Sequence, residues 1–329
     1  MRHEQSTPHQ QGEALVSCIE SNRCDRPERA SFFHRTRTLL SACLLVIMVL
    51  PGSVLHCSEV SEEPRNAESE IDSNILKRVR NLNLIVGGGI LVWGLAQWDY
   101  GTTTFNVKNE GWFGKDTKYG GADKLGHAWA AYGLTELYSR VFKKWGLSDD
   151  RAAFYGALSS FLQTALIEVG DASSFGHGFS YEDLVMNSSG ITLGYLRQKY
   201  PWVRDSIDFR LEWIPSKALR RGEDLDLTTD YSGHKYILAL KPGGIFRSDN
   251  FFLNALELHT GYYTRGFKSK DEKFFSEKKR YLYGGIGLNV TYLLERYAGT
   301  RAYGVFDYFQ VPFTYLPYTR KLSAEPLDP

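Results

Sequence analysis

Three otherwise apolar stretches of this chain carry acids, an imidazole and an amide at helical spacing: Asp123-Lys124-x-x-His127, Glu168-x-x-Asp171 and Ser180-x-x-Asp183-x-x-x-Asn187. Residues four apart share a helix face, so Asp123 and His127 point one way. Asp183, Asn187, Gly190 and Gly194 follow at steps of four, three and four and also line one face. Polar groups aimed into an apolar bundle cost free energy unless they meet one another, an ion or a ligand. The stretch from Asp123 to Gly194 is therefore the candidate site.

The residue types define the chemistry it could do. A carboxylate one turn before an imidazole tunes a general base or orients a metal ligand. Two neighbouring carboxylates, as at Glu168 and Asp171, shift each other's pKa and serve acid–base or metal-binding roles. His127, Asp123 and Glu168 are the candidate catalytic residues, and Lys124, Asp171, Asp183, Asn187 and His177 the candidate binding residues. Each has a plainer reading. His127 alone reads as a satisfied core histidine. Ser180-x-x-Asp183 is a helix-capping pattern, and Glu168 with Asp171 reads as a solvated helix end, although acids there oppose the helix dipole. Lys124 reads as a partner for Asp183 or Glu168, or as a snorkelling side chain. Asn187 has no capping duty in mid-helix and poor helix propensity. Gly190 and Gly194 read as close helix-packing positions. No His-Glu-x-x-His, Gly-x-Ser-x-Gly or P-loop motif occurs. No cofactor is specified, and metal binding stays open.

Four helices must position these groups. Asn81–Trp98 is the first long apolar segment and is near spanning length, preceded by Lys77, Arg78 and Arg80. A second helix is expected over 122–145, a third over 149–168 and a fourth over 181–200, stopped by Pro201. Residues 202–232 read as a surface connection. Beyond them, period-2 stretches at 235–240, 256–267, 281–292 and 303–315 predict a small antiparallel sheet. The fold expected is mainly α: a four-helix membrane-associated bundle followed by a small antiparallel β-rich region. The predicted division is 1–57 for a disordered N-terminus with a signal or anchor, 58–75 for an acidic linker, 76–201 for the helical core and 202–329 for a β-rich region packed on the helices.

Composition bounds the function. The chain has 329 residues and a net charge of +1, so no basic field argues for nucleic acid. Aromatic residues make up 14%, which suits a protein at membrane–water boundaries. Arg35-Thr36-Arg37, the apolar run Leu39–Leu50 and Pro51-Gly52-Ser53 form a secretory signal pattern. Leu55-His56-Cys57 loosely matches a lipoprotein cleavage box. Cys18, Cys24, Cys43 and Cys57 all fall within the first 57 residues. Any metal site further on must then use His, Asp and Glu.

The helical motif set resembles the DUF2279 family, which includes YfiM-like predicted periplasmic lipoproteins. The shared features are Asp123-Lys124-x-x-His127, Glu168-x-x-Asp171 and Ser180-x-x-Asp183-x-x-x-Asn187-x-x-Gly190-x-x-x-Gly194. An aromatic lead-in with Phe105, Asn106 and Trp112 and the later Tyr231-Ser232-Gly233-His234-Lys235-Tyr236 add to it. The likeness runs from about residue 80 to 315. More distantly, the order is similar to VanZ-like membrane proteins, which usually place a basic residue before the Ser; here Ala172–Phe179 offers only His177. The resemblance implies an exported, periplasm-facing protein of a Gram-negative envelope and does not imply a reaction. The expected function is a structural or lipid-binding envelope role, with membrane lipid and envelope proteins as partners. The alternatives are an envelope hydrolase or transferase using His127 and Glu168, and ion-coupled transport.

Overall fold

The computed structural model describes residues 65–326, save 272 and 300. The signal segment, Cys57 and the start of the acidic linker lie outside these residues. Four long helices come first: α1 (Arg65–Gln97), α2 (Ala122–Lys144), α3 (Asp149–Asp171) and α4 (Tyr181–Lys199). The first begins inside the stretch read from sequence as a linker. Ser180 caps α4, its hydroxyl accepting the Asp183 N–H at 3.2 Å.

α4 stops before Pro201 as expected, since the residue preceding a proline is pushed out of the helical region. The chain turns at Tyr200, and Pro201 opens a short helix α5 (Pro201–Ser206) as its first residue, where a missing N–H costs nothing. Four more short helices follow: α6 (Lys217–Arg220), α7 (Pro242–Ile245), α8 (Phe251–Ala255) and α9 (Val290–Ala298). The described residues thus hold nine α-helices, not four. Most of the short ones make one or two turns, too few for a hydrophobic period to register.

The sheet has five strands, one more than expected: β1 (Ile207–Trp213), β2 (His234–Leu240), β3 (Leu256–Arg265), β4 (Glu277–Leu288) and β5 (Tyr315–Pro326). They form an antiparallel meander in chain order. β1 lies in the stretch read as a surface connection, yet its alternation Ile207-Asp208-Phe209-Arg210-Leu211-Glu212-Trp213 is a strand signal. Residues 303–314 are not a strand. A 3₁₀ turn occupies Arg301–Asp307, and Pro312, which has no N–H to donate, precedes β5.

The meander curls. Flat, β1 and β5 would stand roughly 19 Å apart across four strand spacings. Instead Tyr315 at the start of β5 donates its hydroxyl to Glu212 on β1. The segment before β5 also returns to the free edge of β1, with Leu211 N–H bonding Tyr308 O at 2.8 Å and Gln310 N–H bonding Leu211 O at 3.0 Å. One face of β1–β2 packs on the bundle, where Phe209, Leu211 and Tyr236 join Ala128, Trp129 and Tyr132 of α2 in a shared core. The inner face is charged and buried.

Two helices, Ser73–Gln97 and Asp149–Asp171, are long and apolar enough to cross a membrane by length and composition.

Candidate functional site

The start of α2, the end of α3 and the start of α4 meet at one end of the bundle, because antiparallel neighbours place alternate termini together. A loop over 98–121 lies across that end. It is held by Asn106 N–H to Ala172 O at 2.9 Å, Lys108 N–H to Phe179 O at 2.9 Å and Gly111 N–H to Glu182 Oε1 at 3.0 Å. The loop delivers Glu110, which sequence reasoning missed. A lone acid in a polar loop carries no spacing signal.

Lys124 is the centre of the first half of the site and is almost wholly buried. Its Nζ lies 2.5 Å from Glu110 Oε2, 2.8 Å from Asp183 Oδ1 and 3.1 Å from Asp123 Oδ2. Burial pushes the Glu110 carboxyl up, yet the Lys124 hydrogen bond and charge bring it below its ordinary value. The approach of Lys124 to Asp183 Oδ1 is close but poorly directed, and this buried oxygen accepts no well-formed hydrogen bond.

His127 centres the second half. Its Nδ1 lies 3.7 Å from Glu168 Oε1 and its Nε2 lies 3.7 Å from Asp183 Oδ1. The flanking carboxylates are thus Glu168 and Asp183, while Asp123 lies beside Lys124. Asn187 donates to Glu168 Oε1 across a long 3.4 Å. His177 is exposed on the 172–179 loop. Two sets of donor atoms lie within 4.8 Å of one another and could hold an ion: His127, Glu168 and Asp183, and Glu110, Asp123 and Asp183. Lys124 already serves the second set.

The second half has more acid than base. Burial, followed by the charges of Asp183 and Asp171, pushes the Glu168 carboxyl up to about 8. Burial also raises Asp171, against a Tyr100 hydrogen bond and with the help of Asp183 and Glu110, to about 7. Asp183 is raised by burial against the opposing charges of His127 and Lys124. Near neutral pH the cluster therefore holds protons on carboxyl groups, which is what acid–base work or cation exchange requires.

A pH prediction follows for Asp171, whose folded pKa is raised above its unfolded value. Stability from the protonated form is fully present below about pH 4 and is lost as pH rises through about 7. Asp171→Asn should remove that loss. Its stability relative to wild type should climb by about 1–2 kcal/mol between pH 5 and pH 8, a figure reduced for screening at this part-exposed position. Urea melts at both pH values check this, and a constant difference would refute it.

Gly190 and Gly194 sit where α4 meets α2. A Cβ at Gly190 would overlap the Ala128 carbonyl, and one at Gly194 would lie 2.9 Å from Thr135 Cβ and 3.0 Å from Tyr132 O.

A second polar network, also missed from sequence, joins the bundle to the sheet. Arg197 on α4 reaches Glu136 on α2 and Asp208 on β1, each at 2.6 Å. Arg210 continues it to Asp208 and to Glu257 at 2.7 Å, and His259 Nε2 lies 3.1 Å from Glu257. Burial pushes the Asp208 carboxyl up, but Lys241, Arg210 and Arg197 hold it well below the usual carboxylate range. The alternating charges of β1 were the legible signal.

No curated protein and no solved structure matches the chain significantly. A family model does match, over residues 109–199. This is narrower than the likeness read from sequence, and it covers Glu110, α2, α3 and α4. The site-bearing part of this exported, envelope-associated chain is thus a match to DUF2279, described as predicted periplasmic lipoprotein.

Proposed function

We propose that this is a structural, lipid-binding protein of the cell envelope. It seats on a membrane by outward apolar side chains and is locked internally by its two polar networks. The observation that carries the reading is the inverted alternation of β3 and the second half of β4, where apolar side chains point out and polar ones in. Leu258, Ile286 and Leu316 lie opposite one another in register and are exposed, as are Leu256 and Leu288. Glu257, His259 and Tyr283 on the other face are buried. A sheet facing water shows the reverse, whereas lipid-facing strands are apolar outside and polar inside.

Two helices also turn apolar sides outward, with Leu84, Ile85, Leu91, Val92 and Leu95 on α1 and Phe154, Leu158, Phe161, Leu162 and Val169 on α3 all exposed. Exposed apolar side chains in such number on one helix mark an interaction site. The reading needs only that these apolar sides meet lipid; Ser73–Gln97 and Asp149–Asp171 also have the length and composition of a crossing helix.

The test is vesicle flotation of the full chain carrying Cys57→Ser, so that no acyl chain can account for binding. It should co-float with phosphatidylethanolamine–phosphatidylglycerol vesicles. Leu258→Asp with Leu316→Asp should lower partitioning at least tenfold, since burying each leucine contributes about 1.5–3 kcal/mol. A chain that stays unbound at every lipid concentration refutes the reading. A soluble dimer split by the same substitutions would reassign the face to a protein partner.

A further inference from the structure

We propose that His127, Glu168 and Asp183 form a binding site for one divalent transition-metal ion, with zinc the leading candidate. The three ligands come from three helices, and their donor atoms lie within 4.8 Å of one another. An ion with bonds of about 2.0–2.2 Å to nitrogen and oxygen needs donors roughly 3.3–3.6 Å apart in a tetrahedral shell. Nδ1 of the imidazole faces Glu168 and Nε2 faces Asp183, each at 3.7 Å, so one ion takes one of these nitrogens and the other carboxylate must swing towards it to close the shell.

A separate observation points to a ligand. Asp183 is more than nine-tenths buried, and its Oδ1, the atom facing His127 Nε2, accepts no well-formed hydrogen bond although Lys124 is near. The cation beside this oxygen is the Lys124 ammonium, 2.8 Å away, and it is shared. Lys124 supplies one positive charge to Glu110, Asp123 and Asp183 together. The pair facing the imidazole is thus left under-neutralised, and a dication supplies what is missing.

The surroundings suit an ion. Asn187 donates to Glu168, and Lys124 lies against Asp183, so both carboxylates have the outer partners that orient metal ligands. The His127 side chain keeps 33% of its exposure, which leaves a path in and room for water in a fourth position. One imidazole with two carboxylates and no thiolate selects the borderline ions over calcium or magnesium.

The experiment is calorimetric titration of the full chain, first stripped with chelator, with Zn²⁺ and with Mg²⁺ as control. Wild type should bind one equivalent of Zn²⁺. His127→Ala should weaken that binding at least a hundredfold, and Glu168→Gln at least tenfold, while His177→Ala leaves it unchanged. If the carboxylate variant fails to fold, His127→Ala, at a part-exposed position, carries the test with circular dichroism as the fold check. A Co²⁺ spectrum of four-coordinate type in wild type, lost in His127→Ala, would support the site independently. Unchanged Zn²⁺ affinity in folded His127→Ala, or no binding by wild type at micromolar Zn²⁺, overturns the proposal.

Discussion

Replacing Arg197 by methionine should destabilise the protein by about 3–5 kcal/mol, the cost of breaking a buried ion pair by removing one partner. Arg197 is fully buried and joins three elements. Its Nε bonds Glu136 on α2, and its Nη1 bonds Asp208 on β1 and the carbonyls of Arg204 and Ile207. Its guanidinium also lies 5.5 Å from the ring centre of Tyr132. Loss of the cation leaves two buried carboxylates short of charge. Each keeps other help, Glu136 from Arg140 at 3.2 Å and Asp208 from Lys241 at 2.8 Å. The effect should therefore lie nearer the lower bound. Adding Glu136→Gln to Arg197→Met should recover part of it, because the stranded charge is gone. Arg197→Lys should rescue little, since one ammonium cannot reproduce a forked contact to two acids and two carbonyls. Denaturant melts of the four proteins decide the point. A loss under about 1 kcal/mol for Arg197→Met would mean that the network does not tie bundle to sheet.

Gly190→Val should cost about 3 kcal/mol or more. A Cβ at this position meets the Ala128 carbonyl, carbon and Cα, all backbone atoms that no rotamer change can move. α4 must then shift away from α2, and it carries Asp183, Asn187 and Arg197, so both polar networks loosen together. Overpacking of this kind typically costs 1–3 kcal/mol, and a β-branched residue in a helix adds a little more. Gly190→Ala is the sharper probe of sign. In an exposed helix it would gain about 1 kcal/mol of propensity; here it should still lose stability. Gly194→Ala should cost less, because part of what it meets is the Thr135 side chain. Equal or raised urea midpoints for both Gly190 variants would show that the two helices can part without penalty.

The sequence alone placed two of the long helices closely, while α1 starts at Arg65, well before the apolar segment from Asn81 expected as its beginning. Apolar periodicity and the Ser180 cap are local, so the observed bounds Ala122–Lys144 and Tyr181–Lys199 lie within about a residue of those read from spacing. It also identified which polar residues stand on shared helix faces, because a face is set by 3.6-residue geometry. The alternating charges of β1 were equally local, and their strand could have been read. Tertiary structure alone decided partners. Glu110 reaches Lys124 only because a loop is pinned across the helix ends. His127 faces Glu168 and Asp183, residues 41 and 56 positions away, because three helix termini converge. Asp208 and Arg210 are buried only because the sheet curls until β5 touches β1. Spacing fixes direction along one element, whereas the meeting of elements depends on long-range packing that no single element encodes.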